Sequence, residues 1–279
     1  MNFQQKLDKI VKKNNSLVCV GLDSDLSRLP PIIFRGSARQ AKFPQFEFNK
    51  AIIDATYDLV CAYKPNSAFY EAQGEKGIVE LKITCDYLRK KYPEIPIILD
   101  AKRADIGNTN EGYVKFSFDY LGVDAITIHP YLGREAIEPF LQRKDKGIII
   151  LCRTSNPGAG ELQDLIVNKR PLYKLVAQKV AKNWNKNKNC LLVVGATYPK
   201  ELKEVRKIVG NEMTFLVPGV GAQGGDLKNT LKYGLNSKKR GLIINSSRGI
   251  IFASKEKDFA QRAREEAKKL KNLINYYRS

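Results

Sequence analysis

The chain has 279 residues, of which 43% are hydrophobic and 28% are charged, and these proportions are typical of a soluble globular protein with an ample core. Its formal net charge is +19, but the lysines are spread over the whole chain and there is no RNA-binding or zinc-finger pattern. Specific nucleic-acid binding is therefore not expected, although a positive field also favours an anionic substrate. The single histidine, His129, excludes a multi-histidine metal site.

The scattered cysteines and the absence of a long apolar segment argue against an exported or membrane-bound protein. The five cysteines are odd in number and scattered, which indicates free thiols rather than a disulfide framework or a metal knuckle. The first residues are amphipathic and lack the continuous apolar segment of a signal peptide. No run approaches the roughly 20 apolar residues of a membrane span. We therefore expect a cytosolic protein without a membrane partner.

Short β-branched runs alternate along the chain with longer amphipathic segments. Eight runs are typical of strands: 16–23, 62–67, 95–100, 124–129, 147–153, 190–196, 214–219 and 241–246. Eight other segments have a helical pattern: 46–60, 76–91, 109–121, 133–142, 170–187, 199–209, 225–233 and 255–276. Such alternation implies a parallel sheet, and eight units predict a (β/α)₈ TIM barrel formed by a single domain over residues 1–279.

Some segments lie outside this regular alternation. Residues 2–13 predict an extra N-terminal helix that covers the amino-terminal end of the barrel. The connections 24–45 and 154–169 are long, and long structureless loops in a compact domain are usually lids or binding loops. An open doubly wound sheet is the structural alternative, but it requires a Gly-x-Gly-x-x-Gly turn after the first strand, which here ends Gly21-Leu-Asp23.

Three consecutive strand ends carry charged side chains, and barrels of this class hold their active sites at the carboxyl ends of the strands. The first strand gives Asp23, the second gives Lys64 and then Asn66, and the third gives Asp100 and Lys102. Because side chains at i and i+2 of a strand point the same way, Asp100 and Lys102 are aimed together beyond the strand end. Unpaired charge is costly there, so the pattern predicts an array in which each charge offsets the next.

The last two strand ends have the composition of a phosphate site. The seventh continues as Val217-Pro-Gly-Val-Gly-Ala-Gln-Gly-Gly-Asp226, and the eighth continues as Asn245-Ser-Ser-Arg-Gly-Ile250. Glycines let backbone amides approach a phosphate closely, and the guanidinium fork of Arg248 matches phosphate oxygens. Phosphate sites after strands 7 and 8 recur in this barrel class, so the loops indicate a phosphorylated ligand.

The segment from Asp100 to Asp105 has the pattern Asp-x-Lys-x-x-Asp, and with the two loops above it resembles the orotidine 5′-phosphate decarboxylase family. The long connections 24–45 and 154–169 resemble the larger, divergent branch of that family. The resemblance implies decarboxylation of orotidine 5′-phosphate to UMP and CO₂, the last step of de novo pyrimidine synthesis, without metal or cofactor. It assigns Lys102 as the proton donor, which Asp100 and Asp105 hold charged and positioned.

The resemblance also implies the remaining contacts. Lys64 bridges Asp100 and the ribose hydroxyls, either Thr154 or Ser155 contacts the pyrimidine amide, and Asp105 reaches the partner subunit's site across a two-fold homodimer. Arg248 clamps the phosphate. The complete set of implied substrate contacts is Asp23, Asn66, Ile106, Thr109, Thr154, Ser155, Pro218, Gln223, Gly225 and Arg248.

Two alternatives stay open. A hexulose-phosphate synthase or keto-gulonate-phosphate decarboxylase shares the Asp-x-Lys-x-x-Asp arrangement, but uses Mg²⁺ and a Glu at a nearby strand end. The strand ends described above offer no such Glu, since Glu71 lies several residues past Lys64. A non-catalytic binder of a phosphate ligand or of nucleic acid is the other alternative, and it predicts affinity without turnover.

Overall fold

The computed structural model describes residues 1–35, 42–220 and 225–279, and within them eight parallel strands form one sheet. Each strand overlaps a segment predicted as a strand. The bounds are β1 Val18–Leu22, β2 Ala62–Pro65, β3 Ile98–Arg103, β4 Ala125–Ile128, β5 Gly147–Arg153, β6 Cys190–Val194, β7 Phe215–Val217 and β8 Leu242–Ser246.

The sheet closes on itself. Its hydrogen-bonded order is β2-β1-β8-β7-β6-β5-β4-β3, and parallel bridges from Tyr63 to Ile97 and from Asn66 to Asp100 join the two ends. Strands β1, β4 and β6 are buried at every residue because one face looks into the barrel and the other is covered by helices. The predicted (β/α)₈ barrel is confirmed, and the open doubly wound sheet is wrong.

Helices follow the strands as the periodicity predicts. Their bounds are α1 Phe3–Asn14, α2 Pro44–Thr56, α3 Ser67–Glu71, α4 Gly74–Lys91, α5 Gly107–Val114, α6 Gly133–Leu141, α7 Gly160–Gln163, α8 Leu172–Lys179, α9 Pro199–Val209, α10 Leu227–Gly234, α11 Arg248–Ile251 and α12 Phe259–Arg278. Helices α5 and α8 continue as wider π-helical turns over Lys115–Tyr120 and Val180–Trp184. No helix in the described ranges has both the length and the apolar character needed to cross a bilayer.

Helix α1 covers the amino-terminal end of the barrel, as predicted. Its Phe3 packs against Gly147 at the start of β5, where an added Cβ would lie 2.6 Å from the Phe3 ring. Its Lys6 forms an ion pair of 2.8 Å with Asp124, just before β4. The helix buries Phe3, Leu7, Ile10 and Val11. One end of the barrel is therefore closed, and the carboxyl ends of the strands are left for a site.

The long connections are more ordered than expected. The first contains 3₁₀ turns over Leu26–Arg28 and Pro31–Ile33, and its residues 36–41 lie outside the described residues. The second contains α7 and a hairpin in which Ile166–Val167 pairs antiparallel with Arg170–Pro171. These turns satisfy backbone hydrogen-bonding groups that a structureless loop against the barrel would leave unpaired.

The first turn of helix α2 donates a hydrogen bond to a buried carboxyl group of helix α4. The Glu80 side chain, on α4, accepts a hydrogen bond of 2.8 Å from the backbone N–H of Phe46 in the first turn of α2. The residue is 3% exposed, and burial raises the pKa of Glu80 to about 7 in spite of this bond. A folded-state pKa above the ordinary value near 4.5 means that stability is lost as the pH rises from about 4.5 to about 7.

Replacement of Glu80 by Gln should remove this pH dependence because a neutral amide still accepts from Phe46. The parent protein should lose stability between pH 5 and pH 8, and Glu80→Gln should not. We therefore expect the difference in free energy of unfolding, variant minus parent, to increase by about 1–2 kcal/mol over this range. Urea unfolding at both pH values measures the difference. The control is Glu75→Gln, at an exposed position of the same helix. Equal pH dependence in the parent and Glu80→Gln would contradict this account.

Candidate active site

A cavity of about 470 Å³ opens at the carboxyl ends of the barrel strands and is called here the strand-end cavity. All eight strands, or the turns directly after them, contribute lining residues. Among the described residues, the predicted site residues that line this cavity are Asp23, Lys64, Asp100, Lys102, Thr154, Ser155, Pro218 and Arg248.

Three charged residues at the ends of β2 and β3 form a connected array, the charge array. The Lys64 Nζ lies 2.7 Å from Asp100 Oδ2, and the Lys102 Nζ lies 2.7 Å from Asp100 Oδ1. The Lys64 side chain is 4% exposed, whereas the Lys102 side chain is 50% exposed. One buried carboxylate therefore binds a buried ammonium on one oxygen and an accessible ammonium on the other.

The charges of this array are fixed by one another. Burial alone would raise the pKa of Asp100, but Lys64 and Lys102 outweigh it and hold that pKa well below its usual range. Burial alone would lower the pKa of Lys64, but Asp100 and Asp23 outweigh it and raise that pKa above its usual value. Both groups are therefore ionised at neutral pH, and the cavity contains a permanent pattern of charge.

Asp23 offers the cavity a free acceptor. Its Oδ1 is buried and has no hydrogen-bond partner among the described residues. A buried polar atom without a partner is costly unless a bound molecule supplies one. Its position beside Lys64 in the strand-end cavity suits a ligand hydroxyl group.

Lys102 has an unusual backbone conformation for a residue in a strand. Its φ is +47°, in the left-handed region that residues with a Cβ rarely adopt. Such a conformation costs on the order of 1–3 kcal/mol and persists where the surroundings impose it. Strand β3 runs on to Arg103, beyond the predicted end at residue 100, because Arg103 pairs with Ile128 of β4 after a register shift.

The turn after β5 is fastened by a side chain of α7. Gln163 accepts a hydrogen bond of 2.9 Å from the backbone N–H of Thr154 and donates one of 2.8 Å to the Thr154 hydroxyl. Ser155 packs against Gly195, where an added Cβ would lie 2.8 Å from the Ser155 Cα. Both Thr154 and Ser155 line the cavity.

The turn after β8 packs closely against β1. Arg248 is the first residue of α11 and lines the strand-end cavity. Gly21, in β1, allows Ser247 to approach so closely that an added Cβ would lie 1.9 Å from the Ser247 Oγ. The serine-rich turn and the guanidinium group thus share one wall of the cavity.

The turn after β7 is described only in part. Pro218 lines the cavity, whereas Gln223 lies outside the described residues. The Gly225 N–H donates to the Gly219 carbonyl at 3.0 Å, and an added Cβ at Gly225 would lie 2.5 Å from that oxygen. Gly225 therefore closes the turn and is not among the lining residues. Helix α10 begins at Leu227, two residues later than predicted, because Asp226 caps it.

Besides Gly225, four predicted contacts do not line the cavity of their own chain, as far as the described residues form it. The Asn66 side chain accepts from the Ala68 N–H and so caps α3. The Asp105 carboxylate accepts from the N–H of Ile106, and the Ile106 side chain is 60% exposed. The four residues are Asn66, Asp105, Ile106 and Thr109. The roles of these residues in substrate binding and catalysis stay predictions.

Sequence reasoning missed several polar residues of the cavity. Thr127 lies in the middle of β4, where a hydroxyl in an otherwise aliphatic buried strand is a signal that could have identified it. Gln163 gave no signal because its role depends on the fold of the second long connection. The other polar lining residues outside the predicted set are Asn156, Asn245, Ser246 and Ser247.

A closed parallel barrel with charged strand ends and an arginine after the last strand defines a (β/α)₈-barrel enzyme of the class that acts on phosphorylated small molecules. The model of the Orotidine 5′-phosphate decarboxylase / HUMPS family matches residues 16–263. The chain belongs to that family.

Curated and solved relatives cover nearly all of the chain. It is 48% identical over 279 residues to orotidine 5′-phosphate decarboxylase of Cellvibrio japonicus, with 100% of both chains covered. The solved OMP decarboxylase of Leishmania donovani is 38% identical with a TM-score of 0.83, covering 100% of this chain and 99% of its own. The orotidine 5′-monophosphate decarboxylase of Methanocaldococcus jannaschii, solved with the inhibitor BMP, is 25% identical with a TM-score of 0.65, covering 93% and 98%.

The charge array predicts unequal effects when either lysine is made neutral. Lys64→Met should destabilise the fold by about 3 kcal/mol, since it breaks a buried ion pair and leaves part of the Asp100 charge without compensation. Lys102→Met should cost about 1 kcal/mol or less, because its side chain is half exposed and Asp100 keeps Lys64. Urea unfolding of the two matched variants measures this difference. Equal losses of unfolding free energy in the two variants would show that the buried Lys64–Asp100 pair does not stabilise the fold more than the exposed Lys102–Asp100 pair.

Proposed function

We propose that this chain, as one (β/α)₈ domain, decarboxylates orotidine 5′-phosphate to UMP and CO₂, the last step of de novo pyrimidine synthesis, without a metal or cofactor. The observation that carries the proposal is the accessible Lys102 ammonium, held 2.7 Å from Asp100 in a cavity that also contains Arg248. Family membership and the names of the relatives support it.

The charge array suits the electronic demand of this reaction. Loss of CO₂ from the pyrimidine leaves an electron pair on C6, and a fixed ammonium beside that carbon stabilises it before giving up a proton. At about 4 Å and an effective dielectric constant near 20, one such charge contributes on the order of 4 kcal/mol. We assign this role to Lys102, while Asp100 holds the ammonium in place through the 2.7 Å ion pair. Preorganised charge of this kind usually lowers the barrier of an enzymatic reaction more than any other single effect.

Substrate binding is assigned to the walls of the strand-end cavity. Asp23, with its free buried Oδ1, and Lys64 would bind the ribose hydroxyls. Thr154 or Ser155 would bind the pyrimidine amide, and Arg248 would bind the phosphate. Pro218, Gln223 and Gly225 are proposed as further substrate contacts, as the family resemblance implies.

The enzyme is proposed to be a homodimer with composite sites. Asp105 does not line the cavity of its own chain, and Ile106 beside it is 60% exposed. The loop after the neighbouring strand β4 also exposes apolar side chains, with Tyr131 82% and Leu132 43% exposed. Contiguous apolar patches at the surface mark interaction sites. We propose that Asp105, Ile106 and Thr109 complete the cavity of the partner subunit.

One observation bears on the Mg²⁺-dependent alternative. Glu71 forms an ion pair with Arg103 and is not among the described residues that line the cavity. The family description includes both kinds of enzyme, but the curated relatives at 45–48% identity are named orotidine 5′-phosphate decarboxylases. Turnover that survives EDTA would separate the two, and any turnover would reject a non-catalytic binder.

The proposed activity is tested by the loss of orotidine 5′-phosphate absorbance in the presence of EDTA. Lys102→Ala should lower turnover by about a thousandfold or more, because the charge that develops at C6 loses its preorganised partner. UMP should still bind, measured by calorimetry, since the ribose and phosphate contacts are elsewhere. The control is Lys207→Ala, an exposed lysine on α9. Appreciable decarboxylation by Lys102→Ala would contradict the assignment.

The composite site is tested by mixing two inactive variants. Lys102→Ala and Asp105→Ala should each be nearly inactive, but subunit exchange makes about half of the dimers heterodimers, each with one intact site. About a quarter of all sites should then recover, because one half multiplied by one half is one quarter. Activity after exchange, with exchange followed by mass-tagged subunits, measures this. Proven exchange without recovery would mean that Asp105 serves its own subunit.

A further inference from the structure

Thr127 is a buried cavity residue that the proposed mechanism does not yet use. It is the third residue of β4, is 1% exposed and lines the strand-end cavity. Its backbone pairs with Ile149 of β5, and its side-chain hydroxyl group takes no part in that pairing. A buried hydroxyl must find partners, and those of Thr127 are in the charge array.

The Thr127 hydroxyl closes a ring around Lys102. Its Oγ1 accepts a hydrogen bond of 3.0 Å from the Lys102 backbone N–H and donates one of 2.8 Å to Asp100 Oδ1. The same Asp100 Oδ1 accepts from the Lys102 Nζ at 2.7 Å. These hydrogen bonds, called here the Thr127 ring, therefore hold both the backbone and the tip of Lys102.

The ring replaces a missing part of the β3–β4 ladder. Leu99 pairs with Ile126 and Arg103 pairs with Ile128, so Thr127 alone spans the β3 residues between Leu99 and Arg103. With its φ at +47°, Lys102 cannot follow the regular ladder, and its N–H donates to a side chain instead. The hydroxyl thus stabilises the backbone conformation that directs the lysine.

Only a hydroxyl side chain satisfies both demands. Asp100 is ionised and can only accept, while the Lys102 N–H can only donate, so the atom between them must accept and donate at once. Valine has nearly the same shape as threonine but does neither. Serine does both and loses only a methyl group.

We propose that Thr127 is a positioning residue for decarboxylation: it acts through Asp100 and the Lys102 backbone to hold the Lys102 ammonium at the reacting carbon. The proposal rests on the proposed function for its kinetic consequence. Its geometric content, that the hydroxyl fixes the Lys102 backbone, is independent of the reaction.

The experiment compares Thr127→Val and Thr127→Ala, which delete the hydroxyl, with Thr127→Ser, which keeps it. The deleting variants should lower kcat by about 10- to 100-fold, as expected for a lost hydrogen bond to a charged group, and leave the Kd for UMP within about threefold. Thr127→Ser should keep kcat within about threefold of the parent protein. The control, Thr214→Val, removes another buried hydroxyl, which donates to Gln4 at the opposite end of the barrel, and should not change kcat.

Hydrogen exchange of the Lys102 amide, followed by NMR without substrate, tests the ring directly. We expect about tenfold faster exchange in Thr127→Val and parent-like exchange in Thr127→Ser. If the parent protein does not turn over orotidine 5′-phosphate, the proposed function fails and this readout alone decides about Thr127. Unchanged exchange overturns the inference. It is also overturned if the parent is active and Thr127→Val keeps its kcat, or if Thr127→Ser loses as much as Thr127→Val.

Discussion

The carboxylate of Asp100 is the interaction on which the rest of the site depends. Asp100 lies at the seam where β2 and β3 close the barrel, and its backbone forms a β-bridge with Asn66. Its carboxylate binds Lys64 and Lys102 at 2.7 Å each. Without it two ammonium groups would face each other in a poorly solvated cavity. Lys64 is in β2, whereas Asp100 and Lys102 are in β3. The charge array therefore forms only when β2 and β3 meet, which is also the step that closes the barrel.

The two ends of the barrel have different roles: one contributes stability and the other contains the candidate site. At the amino-terminal end, Phe3 packs on Gly147 and Lys6 pairs with Asp124, contacts that add stability but involve no cavity residue. At the carboxyl end, charge is buried and Lys102 has a strained backbone. The strain and desolvation of the site are tolerated because the surrounding barrel packing holds these residues in place.

Much of this architecture could be predicted because it depends on local pattern. The strands were recognised from β-branched runs, and Asp23, Lys64 and Lys102 were placed correctly because strand ends of a parallel barrel converge. The left-handed backbone of Lys102 and the bond to Thr127 could not be predicted, since they arise from the β3–β4 register, which is a tertiary property. Sequence spacing likewise does not determine which subunit's cavity Asp105 faces, because that depends on how subunits pack.

The pairing of β1 has a consequence for biosynthesis. Strand β1 pairs with β2 on one side and with β8 on the other, through Val18 and Ile244. The first strand to leave the ribosome therefore keeps one edge open until the last strand has been translated, roughly 10–45 s later at 5–20 residues per second. An open apolar edge is a template for pairing with other chains. The nascent barrel is thus exposed to misassembly for nearly the whole of its synthesis, and it becomes a closed domain only at the end.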